Sequence, residues 1–250
     1  MRLIKIIRSM EVLLLFCFFG CGALIINYII FPLGSLFQKK ENKKYFYSNV
    51  IHKTWAFFTK LMIKSNIIKV VVENKEQLEN LRGKIIVANH PSFIDIVLLI
   101  GIMPHTVCIA KKDLKKNLFM GNIVKSLYLV NDEDKDNLIN ESSEILSQGF
   151  NIIIFPTGTR TTQRENMKLH KGAAMLALHT KTDIVPLCIS CDKKFLAKNQ
   201  KVYDASDSPV FFTITVNNTI RIDDFAEQGL TEIQLRNRLN ESIKEKISAR

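Results

Sequence analysis

The chain has 250 residues, 47% of them hydrophobic and 24% charged, with a formal net charge of +11. That length buries a full core and suits one α/β domain with an extension better than two domains. Residues 1–72 hold eleven Lys/Arg against Glu11 and Glu41, so +9 of the charge sits there and only +2 remains for the other 178 residues.

Basic charge therefore lies beside the most apolar part of the chain, as expected of a segment resting on an anionic membrane surface. Nucleic acid is not an expected partner, because the basic region has neither a zinc-finger spacing nor an RNA-binding motif.

Residues 12–37, "VLLLFCFFGCGALIINYIIFPLGSLF", contain no charge. At about 1.5 Å per residue such a helix would measure roughly 39 Å, enough to cross a hydrocarbon core of about 30 Å with tilt. Gly20, Gly22, Pro32 and Gly34 also permit a broken, re-entrant pair of helices in one leaflet. The run exceeds a signal-peptide core of about 7 to 15 residues and is expected to be a retained anchor. Basic residues flank it on both sides, so charge counting does not orient it.

A linker is expected at residues 38–44. Beyond it Lys53, Lys60 and Lys64 alternate with Trp55, Phe57, Phe58, Leu61, Met62 and Ile63. This predicts a basic amphipathic helix, either on a membrane surface or as an ordinary surface helix of the domain. The expected boundary separates an N-terminal membrane region, 1–72, from an α/β domain, 73–250.

From there apolar runs of strand and helix length alternate. "KIIVAN", "TVCIA", "YLV", "NIIIFP", "DIVPLCIS" and "PVFFTITVNNTI" predict strands. "SFIDIVLLIGI" after Pro91, one or two segments in 113–127, 136–148, "KGAAMLALHT" and the tail from Thr231 predict helices. Thr231 and Gln234 form a capping box ahead of Leu235, Leu239, Ile243 and Ile247. Alternating strands and helices argue for a sheet with helices on its faces. The five cysteines imply no disulfide framework; Cys188 and Cys191 lie in a strand-like run where positions three apart face opposite sides.

Two segments carry candidate chemistry. His90 and Asp95 in "NHPSFID" would point about 140° apart in an unbroken helix. Pro91 disfavours helix at His90, so the loop can curl back and let the Asp95 carboxylate hold one imidazole nitrogen, leaving the other free as a base. The alternative is that Asp95 only favours a helix N-terminus and His90 is a turn residue. In "NIIIFPTGTRTTQ", Gly158 permits close backbone approach to a ligand, Arg160 offers a forked donor suited to phosphate, and Thr157 and Thr159 add hydroxyls. The alternative there is a solvent-facing loop. No nucleotide P-loop and no G-x-S-x-G elbow is present.

"NHPSFID" followed about sixty residues later by "FPTGTRT" resembles the first and third blocks of the lysophospholipid acyltransferase family, which includes 1-acylglycerol-3-phosphate acyltransferases. "AKKDLKKNLFMGNIVKSLYLVND" resembles the second block and "DIVPLCIS", with Pro186, the fourth. The family's usual blocks read NHxxxxD and FPEGTR. Thr157 stands here in place of the third block's Glu, and the Arg that commonly ends the second block is replaced around Asn131 and Asp132. Both positions are associated with the acceptor.

The resemblance implies a mixed β-sheet flanked by helices, with a membrane-embedded N-terminal helical segment and the catalytic domain on the cytoplasmic face of the inner or cell membrane. It implies O-acyl transfer from acyl-ACP or acyl-CoA to a lysophospholipid hydroxyl, without cofactor or metal. His90 would be the general base, Asp95 its partner, and Thr157, Gly158, Thr159 and Arg160 would bind substrate. A different lipid acceptor, such as a lyso-aminolipid or glycolipid, is the alternative suggested by the two departures. A non-catalytic lipid-binding protein on the same scaffold is a further one.

Overall fold

The computed structural model describes residues 2–131, 134–161, 167–226 and 229–248. Seven strands form one sheet: β1 (Ile68–Glu73), β2 (Ile85–Ala88), β3 (Thr106–Lys111), β4 (Leu129–Asn131), β5 (Asn151–Ile154), β6 (Ile184–Cys191) and β7 (Val210–Val216). Their order is β1-β7-β6-β2-β5-β3-β4, and every pairing is parallel except β6 with β7. The mixed sheet expected from the sequence is therefore the one observed.

The central strands β2 and β5 are buried along their whole length, "IIVA" and "NIII", as a parallel sheet covered on both faces requires. Helices α4 (Asp95–Ile102), α5 (Gly121–Leu127), α6 (Lys135–Ser147), α7 (Gly172–Thr180), the short α8 (Asp223–Ala226) and α9 (Glu232–Ser248) complete the domain. The capping box ahead of α9 is made: Thr231 N–H donates to Gln234 Oε1 at 2.9 Å, and Leu239, Ile243 and Ile247 are buried.

At the N-terminus, α1 (Arg2–Ile25), a π-helical turn at Ile26–Ile30 and α2 (Phe31–Leu36) form one continuous helical rod without reversal. Leu3–Leu36 is long and apolar enough to cross a bilayer. It lies along the domain. Lys5 pairs with Asp204 at 2.9 Å, Arg8 donates to the carbonyls of Ser206 and Asn66, Val12 is buried, and Phe16 meets Phe58 edge-on at 5.8 Å. Further on, Asn27 is buried and its carbonyl oxygen accepts the N–H groups of Asn122 and Ile123, capping α5, while its amide donates to Leu118 O. The side-chain cap stands where the helix widens into its π turn, a common seat of specific contacts.

The basic helix is α3 (Lys43–Lys64). Its apolar face, with Ile51, Trp55, Phe58 and Met62 buried, packs on α4, so it is a helix of the domain. Gly101 makes the close approach possible, since a Cβ there would stand 3.1 Å from Ala56 N. Residues 68–72, expected within the N-terminal region, belong to strand β1 of the sheet; the alternating burial of "IKVVVE" has period two rather than the helical one.

Candidate active site

The C-terminal ends of β2, β5 and β6 lie side by side, where ligands of parallel sheets ordinarily bind. β2 ends into Asn89 and His90. Asn89 is buried, and its side-chain amide exchanges two hydrogen bonds with the backbone of Ile189, donating to the carbonyl at 2.7 Å and accepting the N–H at 2.6 Å. That bridge extends the pairing of β2 with β6 past Ala88 and fixes where His90 leaves the sheet.

Pro91 keeps the chain out of helix and α4 begins only at Asp95. The Ser92 hydroxyl donates to Phe195 O at 2.6 Å, while its N–H donates to Asp95 Oδ2 at 2.8 Å. Oδ2 also stands 2.8 Å from His90 Nδ1. An oxygen that accepts from Ser92 N–H is an acceptor for the ring too, so Nδ1 carries the proton and Nε2 keeps its lone pair.

Among the described residues Nε2 has no hydrogen-bond partner. The imidazole is 18% exposed and its Asp95 partner fully buried. Burial raises the Asp95 carboxyl above its usual range, a push opposed by the His90 hydrogen bond, the Ser92 N–H and the charge of Arg160. The Phe155 ring stacks on His90 at 4.2 Å and 20°, fixing the ring plane from the other side. Neither Asn89 nor Phe155 was singled out in the sequence, though both adjoin the residues that were.

β5 runs into the turn 155–161. Gly158 has φ +64°, and its N–H donates to Phe155 O at 3.0 Å. A Cβ there would meet the His170 ring at 3.3 Å, so glycine is favoured by conformation and by space. Thr157 is buried with its hydroxyl turned back onto Thr159 O. Thr159 is exposed. The N–H groups of Thr157, Thr159 and Arg160 have no partner among the described residues. Thr161 N–H donates to His90 O at 2.8 Å and joins this turn to the His90 loop.

Arg160 is engaged through part of its fork. One guanidinium nitrogen donates to Leu196 O at 2.8 Å and Ala197 O at 3.3 Å, and the group lies over the Phe93 ring at 5.8 Å. Asn131 ends β4 beside Lys111 at the far edge; Asp132 lies outside the described residues. None of the five cysteines forms a disulfide; Cys188 is buried and Cys191 partly so.

Comparison with known proteins gives this site a context. Residues 69–190 match the family model described as Acyltransferase, a span that holds both His90–Asp95 and the 155–161 turn. The 1-acyl-sn-glycerol-3-phosphate acyltransferase of Bacillus subtilis (strain 168) is 33% identical over 123 residues, 47% of this chain and 60% of that protein. The protein of the same name from Helicobacter pylori (strain J99 / ATCC 700824) is 34% identical over 131 residues, 49% of this chain and 55% of that one. The alignments thus span little more than half the length of these curated relatives. In fold, the chain is similar to the crystal structure of the 1-acyl-sn-glycerophosphate (LPA) acyltransferase PlsC from Thermotoga maritima. The TM-score is 0.72 at 22% identity, over 97% of this chain and 96% of that one.

Proposed function

We propose that this chain, which carries an acyltransferase-family domain, transfers a fatty acyl group from acyl-ACP or acyl-CoA to the hydroxyl of a lysophospholipid such as 1-acylglycerol-3-phosphate. The observation that carries the reading is the His90–Asp95 pair, joined at 2.8 Å at the end of β2 with the outer ring nitrogen open.

An alcohol is a poor nucleophile at neutral pH, so transfer needs a base within reach of its proton. His90 Nε2 takes the proton as the hydroxyl oxygen attacks the thioester carbon, and Asp95 stabilises the imidazolium that forms. The carbonyl oxygen becomes an oxyanion, to which the N–H groups of the turn that are unengaged among the described residues, those of Thr159 and Arg160 among them, would donate. Collapse of the tetrahedral intermediate breaks the carbon–sulfur bond, and the departing thiolate takes the proton back from His90. Ester and free thiol are the products, and no acyl-enzyme is needed.

The same reading puts the protein on a membrane. The docked rod turns Leu3, Ile7, Met10, Leu14, Phe18, Ile25, Leu33 and Leu36 outward, each at least 49% exposed. A helix docked along its length on a domain cannot also run through a bilayer core, so it lies in the plane of one leaflet with the outward face in lipid. The test is thiol release from acyl-CoA on addition of lysophosphatidic acid, with wild-type and His90→Ala protein.

A second acceptor class is favoured by one observation. Thr157 is buried and bonded to its own turn, so this position offers no carboxylate toward the acceptor. A lyso-aminolipid or lysoglycolipid in place of lysophosphatidic acid would show as faster thiol release in the same assay.

A further inference from the structure

We infer that a polar pocket on the β6 side of His90, walled by Lys193 and Lys194, binds a phosphate group carried by one of the two substrates. The inference rests on the acyl-transfer reading above. The pocket holds about 170 Å³ and is lined by Asn89 and Pro91, the chain neighbours of His90, and by Thr161, whose N–H holds the His90 carbonyl. Its other wall is the end of β6 and the chain leaving it, through Asp192, Lys193, Lys194 and Phe195, so two ammonium groups face one carboxylate. Pockets for drug-sized ligands run to about 300–1,000 Å³, so this one suits a headgroup rather than an acyl chain.

Its charge suits an anion. Residues 192–201, "DKKFLAKNQK", carry four lysines against one aspartate. Asp192 accepts the Phe211 N–H at 2.8 Å, which holds its carboxylate at the edge of β7. Lys193 is steadied by the Ser208 hydroxyl. The Lys194 ammonium has neither hydrogen bond nor ion pair among the described residues, and the residue is exposed at the pocket wall.

The wall is also fixed to the catalytic loop. Ser92 Oγ donates to Phe195 O, Phe93 N–H to Leu196 O, and Arg160 to the carbonyls of Leu196 and Ala197. Leu196 is held at φ +49°, a left-handed conformation uncommon for a leucine and kept only where the surroundings impose it. Arg160 thus shapes the loop, and the lysines beside it supply the charge. Both substrates offer matching chemistry: a phosphomonoester on the acceptor, or the phosphates of the donor's pantetheine arm.

The experiment compares the full chain with Lys193→Met, Lys194→Met and the double variant, with Lys194→Arg as the rescue and Ser208→Ala as a control that keeps the charge. KM is measured separately for lysophosphatidic acid and for acyl-CoA, and equilibrium binding of sn-glycerol 3-phosphate and of CoA by calorimetry. A charged hydrogen bond lost from a binding site costs about tenfold or more. The double variant should raise KM for one substrate about tenfold with kcat within about twofold, and weaken binding of the matching probe equally. Lys194→Arg should recover most of the loss. A shift for lysophosphatidic acid identifies the acceptor, a shift for acyl-CoA the donor. An active wild type whose two KM values and two affinities are unmoved by the double variant overturns the pocket. A wild type that transfers nothing but loses probe affinity on substitution overturns the reaction and leaves the phosphate site standing.

Discussion

His90 Nδ1 stands 2.8 Å from Asp95 Oδ2, while the second oxygen of that carboxylate is buried with no hydrogen-bond partner among the described residues. A carboxylate kept at this cost to solvation is a poor stability device, since one oxygen is stripped of water and unpaired. Its proposed use is to hold the imidazole in one tautomer.

Asp95→Asn tests both halves of that statement. Activity is predicted to fall by at least about 10², because the amide no longer stabilises the imidazolium. Stability should move the other way. Burial raises the proton affinity of Asp95 above its ordinary 3.8, so above that pH the folded chain binds more protons than the unfolded one, and stability declines as pH rises through the window. The variant lacks this loss. Thermal unfolding followed from pH 4 to pH 7 should show the melting temperature of Asp95→Asn gaining on that of the wild type. A gap that narrows with pH would contradict the burial argument.

Arg160→Ala removes two hydrogen bonds to the carbonyls of Leu196 and Ala197 together with the contact over Phe93. The predicted result is a kcat/KM lower by tenfold or more, with proteolysis at the loop accelerated. Arg160→Lys should recover little, because an ammonium cannot reproduce the planar fork. Unchanged cleavage at residues 195–197 would mean that Arg160 does not hold this loop.

Asn27 clasps the apolar rod to α5 through its side chain. Asn27→Leu leaves two N–H groups of that helix without their acceptor, and a destabilisation of about 2 kcal/mol is predicted. Denaturant unfolding in detergent measures it. A loss below about 0.5 kcal/mol would show that the clasp is not formed.

The proposed in-plane placement of the rod makes a topological prediction. Single cysteines placed at Leu3 and Leu36, in a chain lacking Cys17 and Cys21, should react with a membrane-impermeant maleimide from the same side of sealed vesicles. Labelling of the two ends from opposite sides would mean that the rod spans.

Much of the fold was legible because it is written in local patterns. The buried strands β2 and β5 read as short apolar runs, and α9 as a capping box followed by leucine and isoleucine every four residues. β1 was not legible: the lysines that space the preceding helix continue through Lys69, and the change from helical to two-residue period falls within a few positions. An uncharged run of 26 residues does not announce the contacts it makes along the domain; Asn27 holds it there through partners more than ninety residues away. The site shows the same division. His90, Asp95 and Gly158 could be named from Pro91 and from the turn after β5. The bridge from Asn89 to Ile189 and the hold of Arg160 on Leu196 join segments far apart in sequence, and no spacing rule announces them.

The central claim is that His90 is the base for acyl transfer to a lipid hydroxyl. The most direct measurement is thiol release from acyl-CoA by purified protein in the presence of lysophosphatidic acid, comparing wild type with His90→Ala at matched folding and membrane binding. The account predicts acceptor-dependent release by the wild type and a fall of at least about 10² in the variant. Near-native transfer by folded His90→Ala would contradict it.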